Sequence, residues 1–182
     1  MARSIYIASP NAGTGKSTVA LGLIVCLTKV VAKVGVFRPF VDSRDEDPFL
    51  NLLLARSGSA TPAAQCIGVT RDEYHAAPEE SLSRIVDAYR AVARDHDVVI
   101  IDGSDFTDVA GTPELDLNAR VAANIGVPVL LVVSGRDAPE DVRASVEVSV
   151  AEIAENHART VAVIANRCPA AARGAVAAAL SE

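Results

Sequence analysis

The sequence predicts a three-layer α/β fold, with a mostly parallel sheet and helices on both faces. Three observations predict it. Short apolar, β-branched runs alternate with longer amphipathic runs along the chain. Residues 98–102 read VVIID, with no polar alternation, as expected of a strand covered on both faces. Between the first such run and the first helical run lies a loop of small residues and glycines, at the sheet edge where α/β folds bind ligands.

The elements follow in order. The first strand is SIYIA, residues 4–8, and a helix covers 17–31. A second strand covers 33–37, and helices cover 48–56 and 79–94. The VVIID strand comes next, then a helix over 115–125 that Gly126 ends. A strand over 128–133, a helix over 139–155 and a strand over 160–165 complete the alternation. Strands separated by helices pair in parallel through right-handed crossovers, so five strands form the simplest sheet. Residues 1–168 are expected to form one domain, and residues 169–182 an Ala-rich C-terminal helix.

Composition excludes several classes. Half of the 182 residues are hydrophobic and the net charge is −6. A domain of this size buries roughly two-thirds of the surface its unfolded chain exposes. Without a Lys/Arg block, nucleic acid is not an expected partner. The apolar stretch 19–34 carries Lys29 and Lys33, so neither a membrane span nor a signal peptide is expected, and the protein reads as cytoplasmic. Cys26, Cys66 and Cys168 form no CxxC pair and read as buried or free thiols of a reducing compartment. His96 and His157 lie in charged runs and are expected to be solvated.

The loop after the first strand carries the chemistry. Its residues Asn11, Ala12, Gly13, Thr14, Gly15, Lys16, Ser17 and Thr18 include an intact GTGKS core; Pro10 stands where the common P-loop has its first glycine. Glycines let the backbone curl so that its N–H groups face phosphate oxygens, and the helix N-terminus adds a favourable field. Lys16 reaches the β- and γ-phosphates, and Ser17 places its hydroxyl on magnesium. The expected ligands are ATP and Mg2+.

Other candidates sit at strand ends. Asp102 closes the VVIID strand and either helps hold the metal or caps a turn. Asp47 is a second candidate metal ligand, or simply the N-cap of the helix that follows. Arg38 either clamps an anionic group of a second ligand or pairs with nearby aspartates. Asn166 and Arg167 follow the last strand, where an amide can read an adenine edge or merely form a turn.

Together these pieces resemble the dethiobiotin synthetase-like branch of P-loop proteins. The matching segments are GTGKST, VGVFRP at 34–39, VIIDG at 99–103 and VAVIANR at 161–167. Within that branch, AKVGVFRP at 32–39 and LNARVA at 117–122 look most like the N-terminal domain of large bacterial phosphate acetyltransferases, of the actinobacterial kind. The resemblance implies a regulatory or architectural nucleotide-binding domain. Acetyl transfer itself would belong to a C-terminal catalytic domain of the same protein, and the isolated chain would lack it. The branch is often homo-oligomeric. Dethiobiotin synthetase itself has Lys-Pro where this chain has Arg38-Pro39, and Glu-Gly where it has Asp102-Gly103. Two further readings stand beside the first: an ATP-dependent ligase of the dethiobiotin synthetase or cobyrinate-amidation type, and a scaffold that binds no nucleotide.

Overall fold

The computed structural model describes residues 2–45, 47–104 and 114–181. Its strands are β1 (Arg3–Ala8), β2 (Val34–Val41), β3 (Ile67–Thr70), β4 (Val98–Asp102), β5 (Val129–Ser134) and β6 (Thr160–Asn166). Its helices are α1 (Lys16–Leu27), α2 (Pro48–Ser57), α3 (Arg71–Ala76), α4 (Pro78–Asp95), α5 (Glu114–Ile125), α6 (Pro139–Glu155) and α7 (Arg173–Ala179). The strands form one sheet in the order β3-β2-β4-β1-β5-β6, and every pairing among the described residues is parallel. Helices α4, α5 and α6 pack side by side on one face; α1 and α2 pack on the other, and α7 lies against α6.

The central strands explain the apolar runs. Ile100 and Ile101 of β4 point to opposite faces and are both fully buried. Each such side chain contributes about 1.5–3 kcal/mol through burial. On β1, Tyr6 and Ile7 are fully buried in the same way. Helix α1 is unusual, because it carries no charge after Lys16. Only Lys16, Ala20 and Ile24 of it are buried, and Val25 is 40% exposed.

Three features depart from the sequence expectations. The sheet has six strands rather than five. The extra strand, β3, reads Ile-Gly-Val-Thr: four residues at the sheet edge with a glycine inside, too short for a periodic signal. That glycine is needed for packing, since a Cβ at Gly68 would lie 2.8 Å from Ile85 Cγ1. Second, β2 runs past Phe37 to Val41; Arg38 and Phe40 pair with Ile67 and Val69, while Pro39, lacking an N–H, sits between them. Helix α1 in turn stops at Leu27, four residues before the expected end.

His96 is a correction of a different kind. It is not a solvated ring. Its Nδ1 lies 2.8 Å from the Val92 carbonyl and its Nε2 lies 2.9 Å from Ser59 Oγ. His157 is exposed, as expected, with a left-handed φ of 62°. All three cysteines are free: Cys66 is buried, Cys26 exposed and Cys168 between the two. Burial pushes the Cys66 thiol up to about 11.

Candidate functional site

The parallel register brings the candidate residues to one edge. Ile7 of β1 pairs with Asp102 of β4, and Phe37 of β2 pairs with Ile101. The P-loop therefore leaves β1 beside Asp102, with Arg38 in the next strand over. On the other side of β1, Ser134 of β5 pairs with Asn166 of β6.

Two glycines shape the loop. Gly13 and Gly15 have φ of 76° and 83°, in the left-handed region that disfavours side chains. Gly15 is also the N-cap of α1, and no side chain caps that helix. The first-turn N–H groups are thus left facing the loop concavity. Thr14 is 2% exposed, and its Oγ1 has no hydrogen-bond partner among the described residues. An orphaned buried hydroxyl inside a curled loop fits a ligand bearing acceptor oxygens.

Lys16 does not point into open solvent. It is buried, and its Nζ donates to Asp102 Oδ1 at 2.8 Å and to the Gly103 carbonyl at 2.5 Å. Ser17 Oγ lies 3.3 Å from Asp102 Oδ2. Arg38 Nε approaches the same carboxylate at 3.5 Å, and Arg38 Nη1 pairs with Asp47. Two cations and two carboxylates therefore form one balanced network at the strand ends. Asp47 is held twice, because its Oδ1 also accepts from the Leu50 N–H at 2.9 Å as the N-cap of α2. Ser17 and Asp102 are a hydroxyl and a carboxylate side by side. Such hard oxygens suit magnesium, which takes one or two protein ligands and completes its shell with phosphate and water. Among the described residues no group of three or more His, Cys, Asp or Glu forms a metal cluster of its own.

Asn166 reaches the loop directly. Its Nδ2 donates to the Thr14 carbonyl at 2.8 Å, and a Cβ on Gly15 would lie 2.5 Å from that nitrogen. Arg167 has a left-handed φ of 59°, and its Nε would lie 3.3 Å from the same Cβ. Both residues thus sit against the P-loop rather than in a remote turn.

Sequence reasoning gave no role to Asn118. It is fully buried on α5, where its Oδ1 accepts from Tyr6 Oη at 2.7 Å and from the Ser104 N–H at 3.0 Å. Its Nδ2 donates to the Glu114 carbonyl at 2.9 Å. The clasp pins the chain just past Gly103, whose carbonyl holds Lys16. Burial, followed by the nearby Asp102 and Glu114 charges, pushes the Tyr6 phenol well above its usual range. The signal available in sequence was a lone amide between the core residues Leu117 and Ala119.

A parallel sheet whose first strand runs through GTGKS into a helix is the P-loop NTPase fold. The chain belongs to the family described as "AAA domain", whose model matches residues 3–182. Curated relatives carry the name phosphate acetyltransferase. The protein of that name from Nitratidesulfovibrio vulgaris is 30% identical over 92% of this chain and 25% of its own length. That from Synechocystis sp. is 27% identical over 72% of this chain and 20% of its own length. The chain thus spans about a quarter of the curated relatives it matches. Among solved structures, the kinase domain of VpsO superposes with a TM-score of 0.60 at 16% identity, over 92% of this chain and 86% of that one. The cell division protein FtsY from Thermotoga maritima gives 0.59 at 19% identity, over 100% and 58%. At such identities these two show the fold alone. No described helix is long and apolar enough to cross a membrane.

Proposed function

We propose that this chain is the nucleotide-binding P-loop domain of a phosphate acetyltransferase, N-terminal to the catalytic part and regulatory or architectural in role. The observation that carries the reading is the convergence of Lys16, Ser17 and Asp102 at one strand edge beside an uncapped, glycine-shaped loop. The relatives' name supplies the parent reaction, acetyl-CoA plus phosphate giving acetyl phosphate plus CoA. That transfer needs a CoA cleft and donors aimed at a developing oxyanion, and the candidate site offers cations and hydroxyls suited to a polyphosphate instead. The isolated chain accordingly has no acetyl-transfer activity. Its other partners are the catalytic domains of the parent and a second copy of itself, in the cytoplasm.

ATP is the nucleotide. The backbone of residues 11–18 cradles the phosphates, Lys16 exchanges Asp102 and Gly103 for phosphate oxygens, and Arg167 lies close enough to the loop to add charge. Arg38 is placed for an anionic group of a second ligand. Asn166 presents its Oδ1, which accepts no hydrogen bond among the described residues, toward a base amino group. Ser17 and Asp102 would hold magnesium, with Asp47 behind Arg38, and the ion would neutralise phosphate charge.

Calorimetry of the chain with ATP, ADP and GTP, with and without magnesium, tests this. ATP should bind more tightly than GTP. Lys16→Ala should weaken ATP binding at least tenfold, because each lost charge-assisted bond is worth about 1.5–3 kcal/mol. Equal ATP affinity of both forms, or no nucleotide binding at all, would remove the reading and leave the scaffold, for which the buried Lys16–Asp102 bond is sufficient reason to keep the lysine.

A further inference from the structure

At the opposite end of the sheet from the P-loop, a cavity of about 440 Å³ opens between the start of β2, the end of α4 and the loop after α2. Its volume is within the range of small-molecule sites, roughly 300–1,000 Å³. None of the residues assigned to phosphate or metal binding lines it.

The floor is built rather than incidental. The His96 ring lies on Gly35, where a Cβ would stand 2.7 Å from the ring Cγ. A carbonyl can only accept, so the bond to Val92 puts the proton of the neutral ring on Nδ1. Nε2 is then an acceptor, and Ser59 Oγ–H donates to it at 2.9 Å. Ser59 Oγ in turn accepts from the Thr61 N–H at 3.2 Å and lies 3.0 Å from Thr61 Oγ1. With the Ser59 proton committed to His96, the Thr61 hydroxyl becomes the donor in that pair, or the donor to a ligand. Histidine thus orients a short row of hydroxyls among the residues that line the cavity.

The walls carry unused polarity. Lys33, Gln65 and Asp95 line the cavity, and no side chain among the three makes a hydrogen bond or ion pair with the described residues. One cation, one carboxylate, an amide and a hydroxyl therefore face a common space. A phosphate dianion would meet Asp95 with a single lysine to offset it. A small carboxylate fits Lys33 and the Thr61 hydroxyl, and an ammonium or hydroxyl on the adjacent carbon fits Asp95.

We propose that this cavity is a second ligand site, which takes a small amino or hydroxy acid through its carboxylate and its neighbouring donor group. The site is independent of nucleotide binding. It is tested by amide NMR of the full 182-residue chain, titrated with L-serine, L-lactate, acetate and inorganic phosphate. The expected result is saturable shifts at Gly35, Gly58, Ser59 and Ala60 with L-serine or L-lactate, weaker by tenfold or more with acetate and phosphate. Lys33→Ala, an exposed position, should cut that affinity by about tenfold, the loss of one charge-assisted contact. It should leave the shifts that Mg-ATP causes at Gly13 and Gly15 unchanged, so failure here is distinct from failure at the P-loop. No saturable shift with either acid up to about 10 mM, equal binding of phosphate or acetate, or full affinity in Lys33→Ala would each overturn the proposal.

Discussion

Lys16 and Asp102, 86 residues apart in sequence, form a 2.8 Å ion pair in which neither side chain is more than 1% exposed. Breaking a buried pair from one side strands a charge in a poorly solvating interior. Asp102→Asn should therefore lower the unfolding free energy by about 3–5 kcal/mol. Lys16→Met combined with Asp102→Asn should recover a large part of that loss, since no charge is then left unpaired. Urea denaturation of the two single variants and the double variant measures the coupling. An Asp102→Asn protein within about 0.5 kcal/mol of the parent would show that Gly103 alone satisfies the ammonium.

A second expectation concerns the loop itself. At Gly15 an alanine would adopt a φ of 83° and place its Cβ 2.5 Å from Asn166 Nδ2. A non-glycine residue in that region costs about 1–3 kcal/mol before the clash is counted. Gly15→Ala should thus destabilise by at least that much and displace Asn166 from Thr14. Gly22→Ala, in the exposed middle of α1 with nothing within 4 Å of the new methyl, should instead stabilise by about 0.5–1 kcal/mol. Thermal melts of the pair decide it; matching midpoints would mean that the loop is not the rigid cradle described above.

Acid should weaken the fold through Glu73. The Arg84 guanidinium, the Thr70 N–H and Arg44 hold its carboxyl at about 2, below the usual 4.5. A depressed carboxylate contributes stability that is fully present above its unfolded pKa and is lost as pH falls through the folded one. The stability gap between parent and Glu73→Gln should hold steady near about pH 6 and shrink between about pH 4.5 and pH 2. Guanidinium midpoints taken across that window supply the test. A gap that stays constant down to about pH 3 would remove Glu73 from the list of acid-sensitive contacts.

Much of this arrangement is legible from sequence because the signals are local. GTGKS after a strand fixes the loop, and VVIID places Asp102 at the same edge. Asp47 before Pro48 announces an N-cap, and the structure shows the bond to Leu50. What escapes is carried by contacts between distant segments. Ile67–Thr70 is a strand because β2 templates it, not because four residues with a central glycine insist on it. Charged neighbours make His96 look solvated, yet the absence of a side chain at Gly35, 61 positions earlier, gives its ring a seat. The Asn118 clasp needs Tyr6, 112 residues away, before a buried amide makes sense.

The sheet order also sets when the P-loop can exist. Strand β1 has two neighbours: Tyr6 pairs with Ile101 on one side and with Val129 on the other. Once the chain through α1 has left the ribosome, the whole GTGKS segment has been delivered, yet nothing to hold it. The loop gains its frame only when β4 and then β5 have emerged, about a hundred residues later. Until then helix α1, uncharged after Lys16, is a largely apolar segment without a sheet to lie on. Pairings this distant in sequence make for slow folding and a long exposure to wrong partners. The loop is thus made before the strands that frame it and is finished only with them.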